Sequence, residues 1–84
     1  MNLSQAVLSE HAARQMARRQ ITADDVLRVL AAPEQVLEVR PGRVVAQGLA
    51  GGYLLRVFVD VDRSPAEVVT VYRTSKIEKY RSRV

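Results

Sequence analysis

The chain has 84 residues, 48% apolar and 26% charged, with a net charge of +4 and no cysteine. That length leaves room for one hydrophobic core, so a single domain is expected. The missing thiols exclude disulfide stapling and thiolate metal sites, leaving packing or a partner to support so small a fold. No apolar run reaches the ~18–20 residues that span a bilayer. Met1-Asn2-Leu3-Ser4-Gln5 has no charged stretch followed by an apolar one, as an export signal would. A cytoplasmic protein with no membrane partner is therefore expected.

Helix signals come first. Ser9 precedes Glu10-His11-Ala12-Ala13-Arg14-Gln15-Met16-Ala17-Arg18-Arg19, a run of good helix formers with an acid at its start and cations at its end, and the pattern predicts a helix over 10–19. Ser4 is an alternative start. Leu8, Ala12 and Met16 form a narrow apolar stripe. Thr22, with Asp24 and Asp25 behind it, caps a second helix over 23–31. Val26, Leu27 and Leu30 stand at core spacing in it, Ile21 acts as a staple and Pro33 terminates it.

After Pro33 the apolar period falls to two. Gln35–Arg40 and Arg43–Gln47 flank Pro41-Gly42, a pair that suits the centre of a type II turn, and so read as a hairpin. Gly51-Gly52 marks the next reversal, Tyr53–Val61 the longest strand, and Asp62-Arg63-Ser64-Pro65 a turn into Val68–Tyr72. The expectation is an α+β domain, two N-terminal helices packed on one face of a four-stranded antiparallel sheet. Alternation puts Leu55, Val57, Val59, Val61, Val69 and Val71 beneath the helices. Arg56, Phe58, Asp60, Thr70 and Tyr72 fall on the other face, with Glu38 and Gln47 joining them if register is kept. That second face is then available to a ligand or partner.

The positive charge is concentrated at one end. Arg73, Lys76, Lys79, Arg81 and Arg83 stand against Glu78 alone, while the preceding 72 residues balance eight cations with eight acids. A basic tail on a neutral body suits an acidic partner such as RNA, and also reads as a solvated terminus. Tyr80 within it is a candidate to pack on the sheet.

Several chemistries lack their parts. One histidine without cysteine does not build a zinc centre, and Asp60-x-Asp62 leads into a turn, where aspartates are common. No nucleophile elbow or phosphate-binding glycine loop is present. No metal and no cofactor are expected. What remains is a histidine, several cations, a tyrosine and a threonine, a set that permits RNA cleavage by the RNA's own 2′-hydroxyl. Each residue also has a structural reading. His11 can lock the helix start by a local hydrogen bond, Arg14, Arg18 and Arg19 can be a solvated helix end, and Arg56 can pair with Asp60, Glu38 or Glu67.

Ser9-x-His11-Ala12, then Met16, Arg19, Ile21, Asp25-Val26 and Pro33, resembles the opening of the bacterial family DUF4258. Val69-Thr70-Val71-Tyr72-Arg73-Thr74-Ser75-Lys76-Ile77-x-Lys79-Tyr80 is similar to the end of one of its subgroups. Gln15 stands where that family usually has arginine and Gln20 where it usually has glycine, so the corner after the first helix is expected to need no positive φ. The resemblance implies a likeness to RelE-like and barnase-like ribonuclease toxins, with substrate on the sheet face away from the helices, and an antitoxin protein as partner. On that reading the chain is a metal-independent endoribonuclease toxin or a degenerate relative. His11, Arg56 and Tyr72 are its candidate catalytic residues, and Arg19, Thr70, Arg73 and Lys76 its candidate RNA-binding residues. The alternatives are a non-catalytic RNA- or protein-binding module with an open sheet face, and an interaction protein whose sheet edge pairs with a partner or a second copy in a homo-oligomer.

Overall fold

The computed structural model describes residues 3–81. Strand β1 (Val7–Leu8) is followed by α1 (Glu10–Arg19), α2 (Ala23–Ala31), β2 (Gln35–Arg40), β3 (Arg43–Ala50), β4 (Tyr53–Asp60), β5 (Glu67–Thr74) and a short α3 (Ile77–Arg81). Both long helices start where their caps predict. Ser9 Oγ accepts from the Ala12 amide at 3.0 Å and Thr22 Oγ1 from the Asp25 amide at 3.1 Å, satisfying amides that the first helical turn leaves unpaired.

The strands form one sheet in the order β1-β5-β4-β3-β2. This corrects the four-stranded antiparallel expectation. The sheet has five strands, and the added one, β1, runs parallel to β5 through Val7 opposite Glu67 and Leu8 opposite Val68. A two-residue strand carries no periodicity of its own, and its partner lies some sixty residues away with no turn between them to announce the pairing. Leu8 consequently belongs to an exposed edge and not to the α1 stripe.

Helices α1 and α2 cover one face of this sheet. Ala12, Met16, Ile21, Val26, Val29 and Leu30 pack into one core with Val44, Ala46, Leu55, Val57, Val59, Val68 and Val71. Two assignments shift. Leu27 is exposed and Val29 is buried in its place. In β5 the core residue is Val68 and not Val69, because the pairing slips between Phe58 and Val59 and the extra residue of this bulge reverses the alternation.

Gln20 is a further correction. Its φ of 56° is left-handed, and its own amide and that of Ile21 both return to the Met16 carbonyl, closing the helix end. A corner this tight between two helices takes a left-handed residue whether or not glycine is there. The Pro41-Gly42 turn agrees with the reading from sequence, since Gly42 has φ 85° and a side chain there would collide with the Asp62 carboxylate.

Candidate functional site

On the face away from α1 and α2, a polar row crosses four strands. The register places Gln35 opposite Gln47, Gln47 opposite Arg56, and Arg56 opposite Tyr72, and the side chains bond in that order. Gln47 Nε2 donates to Gln35 Oε1 at 2.5 Å, Arg56 Nε to Gln47 Oε1 at 2.9 Å, and Arg56 Nη1 to the Tyr72 hydroxyl at 2.6 Å. Gln47 is fully buried with its amide satisfied. Among the described residues, Arg56 Nη2 makes no hydrogen bond, and its Nε and Nη1 carry the two bonds above.

Aromatic rings enclose the same guanidinium. Its carbon lies 5.5 Å from the Phe58 ring centre, 5.7 Å from Tyr72 and 4.2 Å from Tyr80, distances at which a cation is attracted to the ring face. Phe58 and Tyr72 stack with centroids 6.0 Å apart. Thr70 stands opposite Phe58 on this face.

This face is not open, contrary to the expectation from sequence. Val45 and Leu54, which alternation places on it, are buried, and α3 lies over the polar row. The Tyr80 carbonyl accepts from Gln47 Nε2 at 3.3 Å and the Arg81 carbonyl from Gln35 Nε2 at 3.4 Å. Arg81 makes a two-pronged bridge to Glu34, both N···O distances being 2.8 Å. Tyr80 does pack on the sheet, and Arg81, one of the tail cations, is neutralised within the chain. Arg83 lies outside the described residues.

The other candidate residues are dispersed. His11 is exposed on α1, makes no hydrogen bond among the described residues, and borders a surface depression of about 400 Å³ with Arg14, Ala17 and Arg18. The packed face of α1 and the sheet separate it from Arg56 and Tyr72. Arg19 donates to the Val71 carbonyl at 3.1 Å and therefore holds α1 to β5. Arg73 is opposite Leu55 on the helix-covered side and lies over the Tyr53 ring at 5.1 Å. Lys76 is exposed in the link to α3, its amide bonded to Thr74 Oγ1. Only Arg56, Thr70 and Tyr72 of the candidate set share the second face.

Glu38 does not join it. With Pro41-Gly42 at the centre of an unbroken hairpin, Glu38 would lie on the Gln47 side, but a bulge between Glu38 and Arg40 shifts the register and brings Gln35 there instead. None of the ion pairs anticipated for Arg56 forms. Asp60 is taken by Arg43 at 2.6 and 3.2 Å and Glu67 by Arg63 at 2.8 Å. The Arg43 hydrogen bond, opposed by burial, holds the Asp60 carboxyl below the usual carboxylate range.

The family model described as "Domain of unknown function (DUF4258)" matches residues 8–73. The chain belongs to this family. No curated protein and no solved structure matches it significantly. The match to DUF4258 begins at Leu8, the second residue of β1, runs through most of β5 and ends before α3. No helix of the described residues is long and apolar enough to cross a membrane.

Proposed function

We propose that this DUF4258 chain is an RNA-directed cytoplasmic domain of the ribonuclease-toxin type, acting through Arg56 and Tyr72 and without His11. The observation that carries the reading is the 2.6 Å contact between Arg56 Nη1 and the Tyr72 hydroxyl. The guanidinium donates to the phenol oxygen and so leaves the phenol's own proton for another acceptor, while Nη2 remains to meet a phosphate. In the proposed step the RNA 2′-hydroxyl attacks the adjacent phosphorus and its proton passes to water. Arg56 neutralises the charge on the phosphorane oxygens. Tyr72 gives its proton to the departing 5′-oxygen and regains one from solvent, leaving a 2′,3′-cyclic phosphate and a 5′-hydroxyl.

The second reading, a non-catalytic RNA-binding module, is favoured by a different observation. His11, the other candidate for proton transfer, lies on the helical side, so no second such candidate joins Tyr72 at Arg56. An arginine among three rings is also an arrangement on which unpaired bases stack.

Expression in a bacterium, alone and with its neighbouring gene product as antitoxin, and cleavage of purified RNA in excess chelator test both. Growth arrest and chelator-resistant cleavage, lost in Arg56→Ala and Tyr72→Phe and retained in His11→Ala, support the nuclease. RNA binding without cleavage in every variant supports the module. Neither binding nor cleavage overturns both.

A further inference from the structure

The part of α3 over Arg56 is too short to be helical by itself, since five residues cannot repay the cost of nucleating a helix in water. None of its residues is buried. Its order therefore comes from what it touches, and those contacts converge on the polar row. Gln47 and Gln35 donate to two consecutive carbonyls, those of Tyr80 and Arg81. The Tyr80 ring covers Arg56 at 4.2 Å. A further hold is the bridge from Arg81 to Glu34, whose side chains are 40% and 33% exposed, within reach of water and competing ions.

We propose that α3 is a strap that masks the Arg56–Tyr72 pair in cis, latched by the Arg81–Glu34 bridge, and that RNA gains the pair when the latch releases. This rests on the RNA reading above. The holds on the strap described above, neutral hydrogen bonds, a ring contact and a partly exposed ion pair, are of the kind found in segments that open well below the free energy of global unfolding. Opening would uncover Arg56 Nη2 and the Tyr72 hydroxyl together, since one ring lies over the guanidinium that bonds the phenol. Tail cations near a polyanion would ordinarily strengthen binding. Arg81 is the exception, because in the closed state it holds the cover down.

The sign of one substitution separates these roles. In Arg81→Gln the latch is lost with a cation, and the strap account predicts tighter binding of a 2′-O-methyl RNA oligonucleotide. The gain expected is about 2–5-fold, the population shift from losing a partly exposed ion pair. Glu34→Gln should do the same, and the exchanged pair Glu34→Arg with Arg81→Glu should return part of the way to wild-type affinity, since Arg81→Glu also meets Glu78 one turn away. In parallel, hydrogen exchange at the α3 amides and peptide-mapped phenylglyoxal modification of Arg56, with Arg18 as the exposed control, should rise by a similar factor in both single variants and fall back in the exchanged pair.

Unchanged exchange and unchanged Arg56 modification would overturn the strap whatever RNA does, and so would weaker RNA binding by Arg81→Gln. Faster exchange and modification with no RNA binding in any variant would uphold the strap and count against the RNA reading.

Discussion

Gln15 Oε1 accepts the Val71 amide at 3.0 Å, and one turn later Arg19 donates to the carbonyl of the same residue at 3.1 Å. Strand β1 ends at Leu8 and leaves the outer edge of β5 unpaired beyond Val68, so two side chains of α1 continue the hydrogen bonding where the strand stops. Gln15 is buried and Val71 is fully enclosed, which makes an unanswered amide there costly. Gln15→Leu should destabilise the domain by about 1–3 kcal/mol, the range for a buried donor left without a partner. Arg19→Ala, at a part-buried contact, should cost about 0.5–1.5 kcal/mol. Denaturant titration with an unchanged m value checks both. A Gln15→Leu midpoint equal to wild type would mean that water reaches the Val71 amide.

The left-handed Gln20 gives a prediction of opposite sign. A side chain at φ 56° crowds the backbone, and glycine removes that cost while loosening the unfolded chain. Gln20→Gly should therefore stabilise by about 0.5–1 kcal/mol, which in a domain of this size raises the thermal midpoint by roughly 2–8 °C. A lower midpoint would show that the exposed Gln20 side chain contributes more than its backbone costs.

Acid stability should report the Arg43–Asp60 pair. Because Asp60 titrates below its unfolded value in the folded chain, its contribution is fully present above the unfolded carboxylate range and is lost as pH falls through the folded value. Stability of the wild type should thus decline on acidification below about pH 4, and Asp60→Asn should flatten that limb while lowering stability at neutral pH. Parallel curves for the two proteins would assign the acid response to other carboxylates.

Much of the helical layer was legible because its signals are local. Ser9 and Thr22 cap, acids and cations sit at the matching ends, and Pro33 stops α2, so both helices fall where the pattern predicts. The short elements were not legible. Val7-Leu8 and Ile77–Arg81 are ordered by residues far away in the chain, β1 by β5 and α3 by Gln35, Gln47 and Glu34, and neither has a local pattern strong enough to declare itself. The two bulges had the same effect on faces. Consecutive valines at Val68 and Val69 fit either alternation, and the slip near Glu38 exchanged that residue for Gln35. Arg56 and Tyr72 were placed on one face because β4 and β5 alternate cleanly there, while their candidacy came from the family resemblance. Gln35 and Glu34 were missed, since a glutamine at a strand start and an acid after a proline look like solvated positions until the sheet and α3 bring them together.

The most direct test of the account maps where RNA touches. Titrating the ¹⁵N-labelled full chain with a 2′-O-methyl RNA oligonucleotide, followed through backbone amides and the Arg56 Nε signal, should perturb Gln47, Arg56, Thr70 and Tyr72 together with the α3 amides, while His11, Arg14 and Arg18 stay in place. Perturbations confined to the α1 surface, or none at Arg56 under conditions where RNA is bound, would contradict it.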